Sequence, residues 1–415
     1  MTGPRPDAVA QDHVFCRTWS CFFAILGEGG AGMAFEHYVN SNGRRLRCGY
    51  TTGTCAALAA AGAARLLLTG RAPETVRLRT PRGWEVEVPL VRAELRSPTG
   101  ATAAVVKDAG DDADVTAEAL IVADVDLREG PGVDIDGGDG VGRVTRPGLD
   151  QPVGAAAINR VPRRMIAEEL EALAGHLGYE GGFRVVIRVP GGQEMAGRTF
   201  NPKLGVEGGI SILGTSGIVE PMSNQALVDT IGLEIRQAVA GGAGRLVLTP
   251  GNYGADFLAG GALLLPEGVP VVRCSNFVGE ALDCARLEGV GEVLLVGHLG
   301  KLVKLAAGIM NTHSRWADGR AELFCAHAAL YGADRETAQA LIDSATADRC
   351  LEILAEKHLR EPVLSSLLSA IQRHLDRRAG EDLQTGAVLF SNQYGLLGMT
   401  RGAKEILDTW NTAKN

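Results

Sequence analysis

Short apolar runs alternate with helical patterns through the second half of the chain. Val, Leu and Ile cluster at 245–248, 269–273 and 292–296, and apolar residues at helical spacing occupy 223–240 before the first run. Such alternation predicts parallel strands joined by right-handed crossovers. Each run is followed by a loop rich in Gly, Asn, Ser, Thr or His. We expect these loops to gather at the carboxyl edge of the sheet, where open parallel sheets bind ligands.

A glycine-rich stretch at 198–223 precedes this array and has the same order of elements. The run 210–213 predicts a buried parallel strand, Gly214-Thr215-Ser216-Gly217 a turn, and Ser223 the N-cap of the next helix. Strand, turn and helix start together direct backbone donors at an anionic ligand. The alternative is that the glycines only permit tight turns.

The first half of the chain combines one alanine-rich helix with several strands. Thr51, Thr52 and Thr54 precede an alanine-rich run that ends at Gly70, and alanine is the strongest helix former. The threonine hydroxyls and the free N–H groups at this helix start form a second candidate anion cradle, although Thr at an N-cap is common. Runs at 76–79, 84–88, 102–107 and 120–127, separated by Pro, Gly and Asp turns, predict strands.

These patterns predict a protein of mixed α/β and α+β class. A β-rich N-terminal domain precedes a doubly wound, mainly parallel-sheet domain and a helical C-terminal region that packs back on the core. We expect the domains at 41–190, 191–315 and 316–415, after a weakly ordered extension at 1–40. Within the last region, 316–380 is helical, and 386–402 is interpreted as a glycine-containing tail before a last short helix.

Four aspartates lie close together, at positions 108, 111, 112 and 114. Such a cluster can hold a divalent metal, but its spacing does not match a calcium-binding EF-hand loop. The alternative is a solvated turn, or aspartates that bond turn amides, and we favour that interpretation. We therefore predict no metal site, and the acidic, glycine-rich run 134–142 is interpreted in the same way.

Charge and composition narrow the function classes. A net charge of −8 argues against a general nucleic-acid-binding protein, which needs basic surface to neutralise phosphates. No apolar run reaches the roughly 18 residues of a membrane span, so we expect no membrane partner. The eight cysteines include no C-x-x-C pair, which predicts reduced thiols of a cytoplasmic protein. A homo-oligomer stays open.

Two lysines and two histidines stand beside the predicted strand ends. Lys301 and Lys304 lie on neighbouring turns of a helix and are either a solvated face or ligands of substrate carboxylates. His298 and His313 are either acid–base groups or structural histidines. Arg315 ends the polar cluster at 311–315.

Six long segments, in order along 46–398, carry a specific combination of motifs. They read L-R-C-G-Y-T-T-G-T-C-A-A, V-V-K-D-A-G-D-D-A-D-V-T, R-T-F-N-P-K-L-G-V-E-G-G-I-S-I-L-G-T-S-G-I-V-E-P-M-S, V-L-T-P-G-N-Y-G, C-S-N-F-V-G-E-A-L-D and V-G-H-L-G-K-L-V-K-L-A-A-G-I-M-N-T-H-S-R. Together they resemble the cobalt-precorrin-5B C1-methyltransferase family. Cys48 departs from the small Thr-like residue expected there, and the N-terminal extension is unmatched.

The resemblance implies methyl transfer from S-adenosylmethionine to carbon 1 of cobalt-precorrin-5B. The product would be cobalt-precorrin-6A, on the anaerobic route to cobalamin, with cobalt present only as part of the tetrapyrrole substrate. Transfer from a sulfonium is an in-line displacement whose main need is to hold the reactants roughly 3–3.5 Å apart. The electron-rich macrocycle carbon is the nucleophile, so no powerful base is required. A cleft between two domains suits this flat, carboxylate-rimmed substrate.

Loop position then assigns candidate residues to each ligand. The candidate ligands of substrate carboxylates are Thr51, Thr52, Thr54, Lys301, Lys304 and Arg315. For the methyl donor, the turn Gly214, Thr215, Ser216 and Gly217 is assigned to the methionine carboxylate, and Gly251, Asn252, Gly254, Ser275, Asn276 and Glu280 to the ribose and adenine. His298 and His313 are the candidates for moving a proton or orienting the substrate.

Two other functions compete with this one. A nucleotide- or NAD-dependent enzyme of doubly wound type needs G-x-G-x-x-G followed about 20 positions later by an acidic residue, or a Walker A lysine motif, and the chain has neither combination. A non-catalytic carrier of corrin intermediates would bind the tetrapyrrole in the same glycine-rich cleft. Binding of S-adenosylhomocysteine distinguishes a methyltransferase from such a carrier.

Overall fold

The computed structural model of the chain describes residues 35–41 and 43–412. The expected N-terminal extension therefore lies largely outside the described residues, and the described part of that range begins a strand at Tyr38. Within the described residues the chain forms twenty strands and twelve α-helices. This is a mixed α/β protein, as expected from the sequence.

The strands and helices are numbered in chain order. The strands are β1 (Tyr38–Ser41), β2 (Arg44–Arg47), β3 (Gly49–Tyr50), β4 (Thr75–Arg79), β5 (Glu85–Pro89), β6 (Arg92–Ser97), β7 (Gly100–Val106), β8 (Leu120–Arg128), β9 (Val133–Gly137), β10 (Gly140–Val141), β11 (Arg143–Val144), β12 (Gly182–Arg188), β13 (Val206–Glu207), β14 (Gly209–Ile210), β15 (Ile218–Val219), β16 (Arg245–Thr249), β17 (Val271–Arg273), β18 (Glu292–His298), β19 (Gln384–Ser391) and β20 (Gly395–Met399). The helices are α1 (Thr52–Thr69), α2 (Arg160–Leu177), α3 (Gly192–Ala196), α4 (Asn224–Ala240), α5 (Tyr253–Ala259), α6 (Val278–Leu287), α7 (Leu299–Leu302), α8 (Arg320–Ala329), α9 (Arg335–Ile342), α10 (Ala347–Glu356), α11 (Arg360–Ala379) and α12 (Arg401–Thr412), and a 3₁₀ helix occupies Val303–Ala307.

The described chain divides into two compact units built from interleaved segments. The first comprises residues 35–134, Arg164–Val185 and Gly214–Pro221, and the second comprises Ile135–Arg163, Val186–Leu213 and residues 222–412. The boundaries expected at 190 and 315 do not coincide with this division. The reason is the pairing of short strands, since β10 and β11 pair with β14 and β13 in the second unit while β15 pairs with β3 in the first.

Helix α1 is the central element of the first unit. Thr51 is its N-cap and accepts a hydrogen bond from the Thr54 N–H, and Gly70 ends it in the left-handed conformation. Its alanine-rich surface is buried against β6, β7 and β8, which form an antiparallel ladder. It is also the one described helix long and apolar enough to cross a membrane, with a mean hydropathy of 1.3, and 72% of it is buried inside the protein.

A five-stranded sheet forms the centre of the second unit, in the order β17-β16-β18-β19-β20. The first four strands are parallel, and β20 is antiparallel to β19. Alternate residues face two different apolar clusters: Leu246 and Leu248 belong to one, and Val247 to the other. Helices α4, α6 and α8–α11 contribute to the first cluster, and α5 and α12 to the second. Helices therefore cover both faces, as parallel strands require.

The segment 386–402 is not the tail that its sequence suggested, because it forms β19 and β20. Glycines obscured the pattern, since glycine is unusual inside strands and often marks a close approach of another backbone. Gly386 is such a position, because a Cβ atom there would lie 2.1 Å from the Ala403 nitrogen. The run 210–213 contributes only the short β14, paired in parallel with β10, and a bridge between Ile158 and Ile212. The large sheet takes β19 instead of that run.

Gly386→Ala should destabilise the second unit, because the added methyl group would meet the backbone at the start of α12. Overpacking of this kind costs about 1–3 kcal/mol, so the midpoint of thermal unfolding followed by circular dichroism should fall by several degrees. Gly244→Ala is the matched control, since nothing lies within 4 Å of a Cβ atom at that position. It should stay within about 0.5 kcal/mol of the parent. Equal stability of the two variants would contradict the packing argument.

Candidate functional site

The carboxyl ends of the parallel strands lie along one edge of the sheet, and the strand order reverses at one point on that edge. After β16 the chain passes to β17 on one side, and then to β18 on the other side of β16. Ligands of open α/β sheets bind at such a point, outside the carboxyl ends of the strands. The strand-end connections after β16, β17 and β18 lie along this edge; they begin at Pro250, at Cys274 and at Leu299, where the third connection opens with the short helix α7.

Lys301 is the residue at which these three loops meet. Its Nζ donates to Asn276 Oδ1 at 2.7 Å, and a Cβ atom on Gly251 would lie 3.0 Å from the same nitrogen. Thr312 Oγ1 also donates to Asn276 Oδ1, at 3.3 Å. Three of the four strand-end loops expected to converge therefore do so, whereas the turn at 214–217 belongs to the first unit.

The charge of Lys301 is not matched by a carboxylate. Within the described ranges, no Asp or Glu oxygen lies within ion-pairing distance of its Nζ, and its hydrogen-bond partner Asn276 is a neutral amide. Burial lowers the pKa of Lys301, and the nearby Cys274 thiol opposes that shift. A half-buried ammonium group without an anion is suited to bind one, because an opposite charge stabilises the protonated form.

His298 ends β18 and caps the turn that carries Lys301. Its Nδ1 accepts a hydrogen bond from the Gly300 N–H at 3.1 Å, and its Nε2 lies 4.0 Å from Asp348 Oδ2. Ser391 Oγ donates to the other oxygen of that carboxylate at 2.6 Å. Burial lowers the pKa of His298, while the Asp348 carboxylate opposes this shift. The ring is therefore neutral near pH 7.

Lys304 is fully buried and supports the loop that follows it. Its Nζ donates to the carbonyl oxygens of Thr312 and Ala317, at 3.1 and 2.9 Å, and to Ser314 Oγ at 3.0 Å. An ammonium group has three donors, so these contacts use all of them. Lys304 therefore has no donor left for a substrate carboxylate.

His313 and Arg315 are exposed on the same loop. His313 Nδ1 accepts from the Arg315 N–H at 3.1 Å. The loop is tied to the Lys301 cluster by the Thr312 N–H, which donates to the Asn276 carbonyl at 2.9 Å. His313 and Arg315 consequently reach solvent close to the junction of the three loops.

The remaining residues predicted to bind the methyl donor have different surroundings. Gly254 is required by packing, because a Cβ atom there would lie 2.7 Å from the Val296 carbonyl oxygen. Asn252 is exposed just before α5, and Glu280 is half-buried in the first turn of α6. Ser275 has a φ of +53°, in the left-handed region that non-glycine residues seldom adopt. Such strain is often found at functional sites.

A second cluster, in the first unit, joins two motifs that are 163 residues apart. Thr54 Oγ1 donates to the Gly217 carbonyl at 2.6 Å, and the Thr51 N–H donates to the same oxygen at 3.1 Å. Gly214 lies against the helix start, since a Cβ atom there would lie 2.2 Å from Thr51 Oγ1. These contacts use the threonine hydroxyls to hold the glycine turn against α1.

Three more predicted residues belong to this cluster. Thr52 is buried, Thr215 is exposed, and Ser216 Oγ donates to the Ile218 carbonyl at 3.0 Å. Of the three, Thr215 is the one whose side chain faces solvent. The competing interpretation, that the glycines and threonines shape a turn, accounts for most of these contacts.

The acidic run after β7 is held by basic side chains and turn amides. Arg47 Nη2 donates to Asp108 Oδ1 at 2.8 Å, and Lys107 Nζ donates to Asp114 Oδ2 at 2.6 Å. The Thr116 N–H also donates to Asp114, at 2.7 Å. Burial raises the pKa of Asp114, but the Lys107 ammonium and the hydrogen bonds from Thr116 together outweigh it, so the pKa is lowered. Asp108 and Asp114 thus bond turn amides, those of Gly110 and Thr116, as that interpretation expected.

Two residues beside His298 carried no sequence signal that pointed to them. Asp348 lies in the first turn of α10, where an acidic residue is ordinary because it complements the helix dipole. Ser391 ends β19, in the segment that was interpreted as a tail. Their approach to His298 follows from the sheet order, which places β19 beside β18.

Comparison with known proteins now defines the class. The second unit is an α/β structure with a lysine at the carboxyl edge of its sheet whose charge no described carboxylate balances. Two family models match the chain, described as CbiD at residues 39–221 and as CbiD, C-terminal domain, at residues 311–401. The chain belongs to the CbiD family.

Similar proteins cover nearly its whole length. A cobalt-precorrin-5B C(1)-methyltransferase of Ruminiclostridium cellulolyticum is 46% identical over 86% of this chain and 92% of its own. One of the same name from Alkaliphilus metalliredigens is 40% identical over 90% and 97%. The crystal structure of the cobalamin biosynthesis protein cbiD from Archaeoglobus fulgidus is 30% identical, with a TM-score of 0.36 over 68% of this chain and 86% of that one.

Lys304→Met should lower the free energy of unfolding, because the isosteric thioether leaves the buried carbonyls of Thr312 and Ala317 without their donor. An unsatisfied buried acceptor costs about 1–3 kcal/mol, and urea unfolding should show a loss in that range. Lys404→Met, at an exposed position in α12, is the control and should stay within about 0.5 kcal/mol. A Lys304→Met variant as stable as the control would rule out the structural role.

Proposed function

We propose that the chain transfers a methyl group from S-adenosylmethionine to carbon 1 of cobalt-precorrin-5B, giving cobalt-precorrin-6A in anaerobic cobalamin biosynthesis. The observation that carries this proposal is identity of 40–46% to two methyltransferases of that name over more than nine tenths of their lengths. Cobalt enters the reaction as part of the substrate. The choice of S-adenosylmethionine as the methyl donor rests on the class of reaction, methyl transfer.

The reaction requires positioning more than acid–base power. A methyl group passes from sulfur to a nucleophilic ring carbon in one displacement, so the protein must hold both reactants in line. The tetrapyrrole is a flat molecule that carries several carboxylates. It therefore needs cationic or hydrogen-bonding groups around its rim and few charged groups against its faces.

We assign the rim contact of the second unit to Lys301. Its ammonium group is half-buried, lacks a carboxylate partner among the described residues, and is held by the neutral Asn276. A substrate carboxylate would supply the missing charge through a charge-assisted hydrogen bond, which is stronger than a neutral one. Arg315 and His313, exposed on the adjacent loop, are the proposed outer contacts.

We assign the donor to the loops that border Lys301. Asn276 bonds Lys301, and the Lys301 Nζ occupies the space beside Gly251, so a donor held by their loops would lie beside a substrate held by the lysine. Asn252 and Ser275 lie on the same loops, Glu280 lies in the first turn of α6 just after the second loop, and a carboxylate such as that of Glu280 suits ribose hydroxyls. The assignment of the turn at 214–217 to the methionine carboxylate remains a prediction.

Three broader features belong to the same proposal. The sheet of the second unit is proposed to be doubly wound, which its strand order and its two helix-covered faces support. A cytoplasmic location is supported by the six unpaired cysteines in the described chain, four of them buried. A homo-oligomer stays a prediction.

S-adenosylhomocysteine should bind the purified protein, and labelled methyl groups should pass from S-adenosylmethionine to cobalt-precorrin-5B. Calorimetric titration with S-adenosylhomocysteine and mass spectrometry of the tetrapyrrole measure the two effects. NAD, titrated under the same conditions, is the control ligand and should give no heat of binding. Tetrapyrrole binding without S-adenosylhomocysteine binding would indicate a carrier, and NAD binding a dehydrogenase.

Lys301→Ala should raise KM for the tetrapyrrole and leave kcat nearly unchanged, because the lost contact is equal in the ground and transition states. A hydrogen bond between charged groups contributes about 1.5–3 kcal/mol, so KM should rise roughly tenfold or more. Lys404→Ala, remote in sequence and exposed on α12, is the control. If Lys301→Ala left KM unchanged, Lys301 would not be a substrate ligand, although the methyltransferase assignment would stand on the preceding test.

A further inference from the structure

His298 is an uncommon residue for the position it holds. N-caps are usually Ser, Thr, Asp or Asn, whose side-chain oxygen accepts a backbone N–H. Four other helices of the described chain follow this rule, with the caps Thr51, Ser223, Asp334 and Thr346. At α7 the acceptor is the imidazole Nδ1 of His298, which takes the Gly300 N–H. The cap of α7 can therefore change its charge near neutral pH, whereas the caps of the other four helices cannot.

This hydrogen bond determines which ring nitrogen carries the proton. A backbone N–H can only donate, so Nδ1 must be unprotonated while it accepts from Gly300 at 3.1 Å. The hydrogen of the neutral ring is then on Nε2, which lies 4.0 Å from Asp348 Oδ2. The basic lone pair of His298 is occupied by the backbone. It is therefore not available to take a proton from a substrate.

The capped turn leads directly to the Lys301 ammonium. Gly300 precedes Lys301 in α7, and Lys301 Nζ fits between Asn276 Oδ1 at 2.7 Å and the space beside Gly251, where a Cβ atom would lie 3.0 Å away. The cap therefore holds the backbone from which the Lys301 side chain reaches this junction.

We propose that His298 is a positioning residue, whose neutral imidazole holds the Gly300–Lys301 turn so that the Lys301 ammonium stands ready for a substrate carboxylate. The proposal rests on the proposed function of Lys301. It gives His298 a role different from that of an acid–base catalyst. Protonation of Nδ1 turns an acceptor into a donor that faces the Gly300 N–H, so the bond opens. The carboxylate anchor is then lost as the pH falls.

Groups from several elements set the charge of this ring. Asp348 on α10 favours the protonated form. Lys301 lies on the same turn, and Arg320 on α8 approaches it, since its Nη1 would lie 3.9 Å from a Cβ atom on Gly300. The ring centroid of Tyr253 on α5 lies 6.0 Å from that of His298. Burial lowers the pKa of His298 overall, so the capped state persists at neutral pH and opens on the acid side.

Two substitutions of His298 distinguish its role as a hydrogen-bond acceptor from the presence of a ring. Asn carries Oδ1 where imidazole carries Nδ1 and cannot be protonated, whereas Phe keeps the ring volume without an acceptor. His298→Phe should raise KM for cobalt-precorrin-5B roughly tenfold, the scale of a lost N-cap, and change kcat less than about threefold. His298→Asn should keep KM within about threefold of the parent and abolish the rise in KM at low pH. A large loss of kcat in His298→Asn with KM preserved would overturn the proposal and make His298 an acid–base catalyst.

A double-mutant cycle tests whether His298 acts through Lys301. In the Lys301→Ala background, His298→Phe should raise KM no further, because the anchor is already absent. Additive effects on KM would overturn the proposal.

Hydrogen exchange of the peptide that contains Gly300 gives a readout that needs no substrate. In the parent protein this amide should be protected near pH 8 and lose protection as the pH falls, after correction for the intrinsic exchange rate. His298→Asn should keep it protected across the range, and His298→Phe should leave it unprotected throughout. Protection that persists in His298→Phe would overturn the cap itself. A protein that passes this test but binds neither S-adenosylhomocysteine nor the tetrapyrrole would instead refute the proposed function.

Discussion

Burial of strands on both faces is the constraint on which the second unit depends. β16, β18 and β19 send alternate side chains into two separate apolar clusters, and the charged residues Arg245 and Glu292 occupy only the first positions of β16 and β18. Parallel strands covered in this way need crossover helices on each face, and their polar groups must collect in the loops beyond the strand ends. Gly251, Asn276 and Lys301 meet because the sheet order brings their loops together.

Two neighbouring lysines show how the same charge acquires different roles. Lys304 is buried and surrounded by carbonyl and hydroxyl oxygens, which compensate an ammonium group removed from water. Lys301 is half-buried and has one neutral amide as its hydrogen-bond partner. The three donors of Lys304 all have acceptors within the protein, so this lysine has a structural role. Lys301 has donors and a positive charge that its one amide partner does not satisfy, and a bound anion would satisfy them.

The sequence predicted elements whose cause is local. The N-cap Ser223, the threonine-rich start of α1 and the apolar strands of the sheet follow from side-chain chemistry and spacing. β19 was not predicted because its Gly386 is required by the close approach of the α12 backbone, which is distant in sequence. The different surroundings of Lys301 and Lys304 could not be predicted either, since the two lysines lie three residues apart in one helical segment of the sequence. Only the fold decides which oxygens each ammonium group meets.

The nature of the reaction agrees with what the site contains. A displacement at a methyl carbon asks for ligands held in line, and neither a strong base nor a buried carboxylate would help it. The strand-end junction offers an ammonium group that no carboxylate of the described chain pairs with, and glycines that leave space, while its histidine has its basic nitrogen bonded to the backbone. A site built for proton transfer would leave that nitrogen open and would place a carboxylate beside the lysine. The arrangement found instead favours binding and alignment as the contribution of this edge to catalysis.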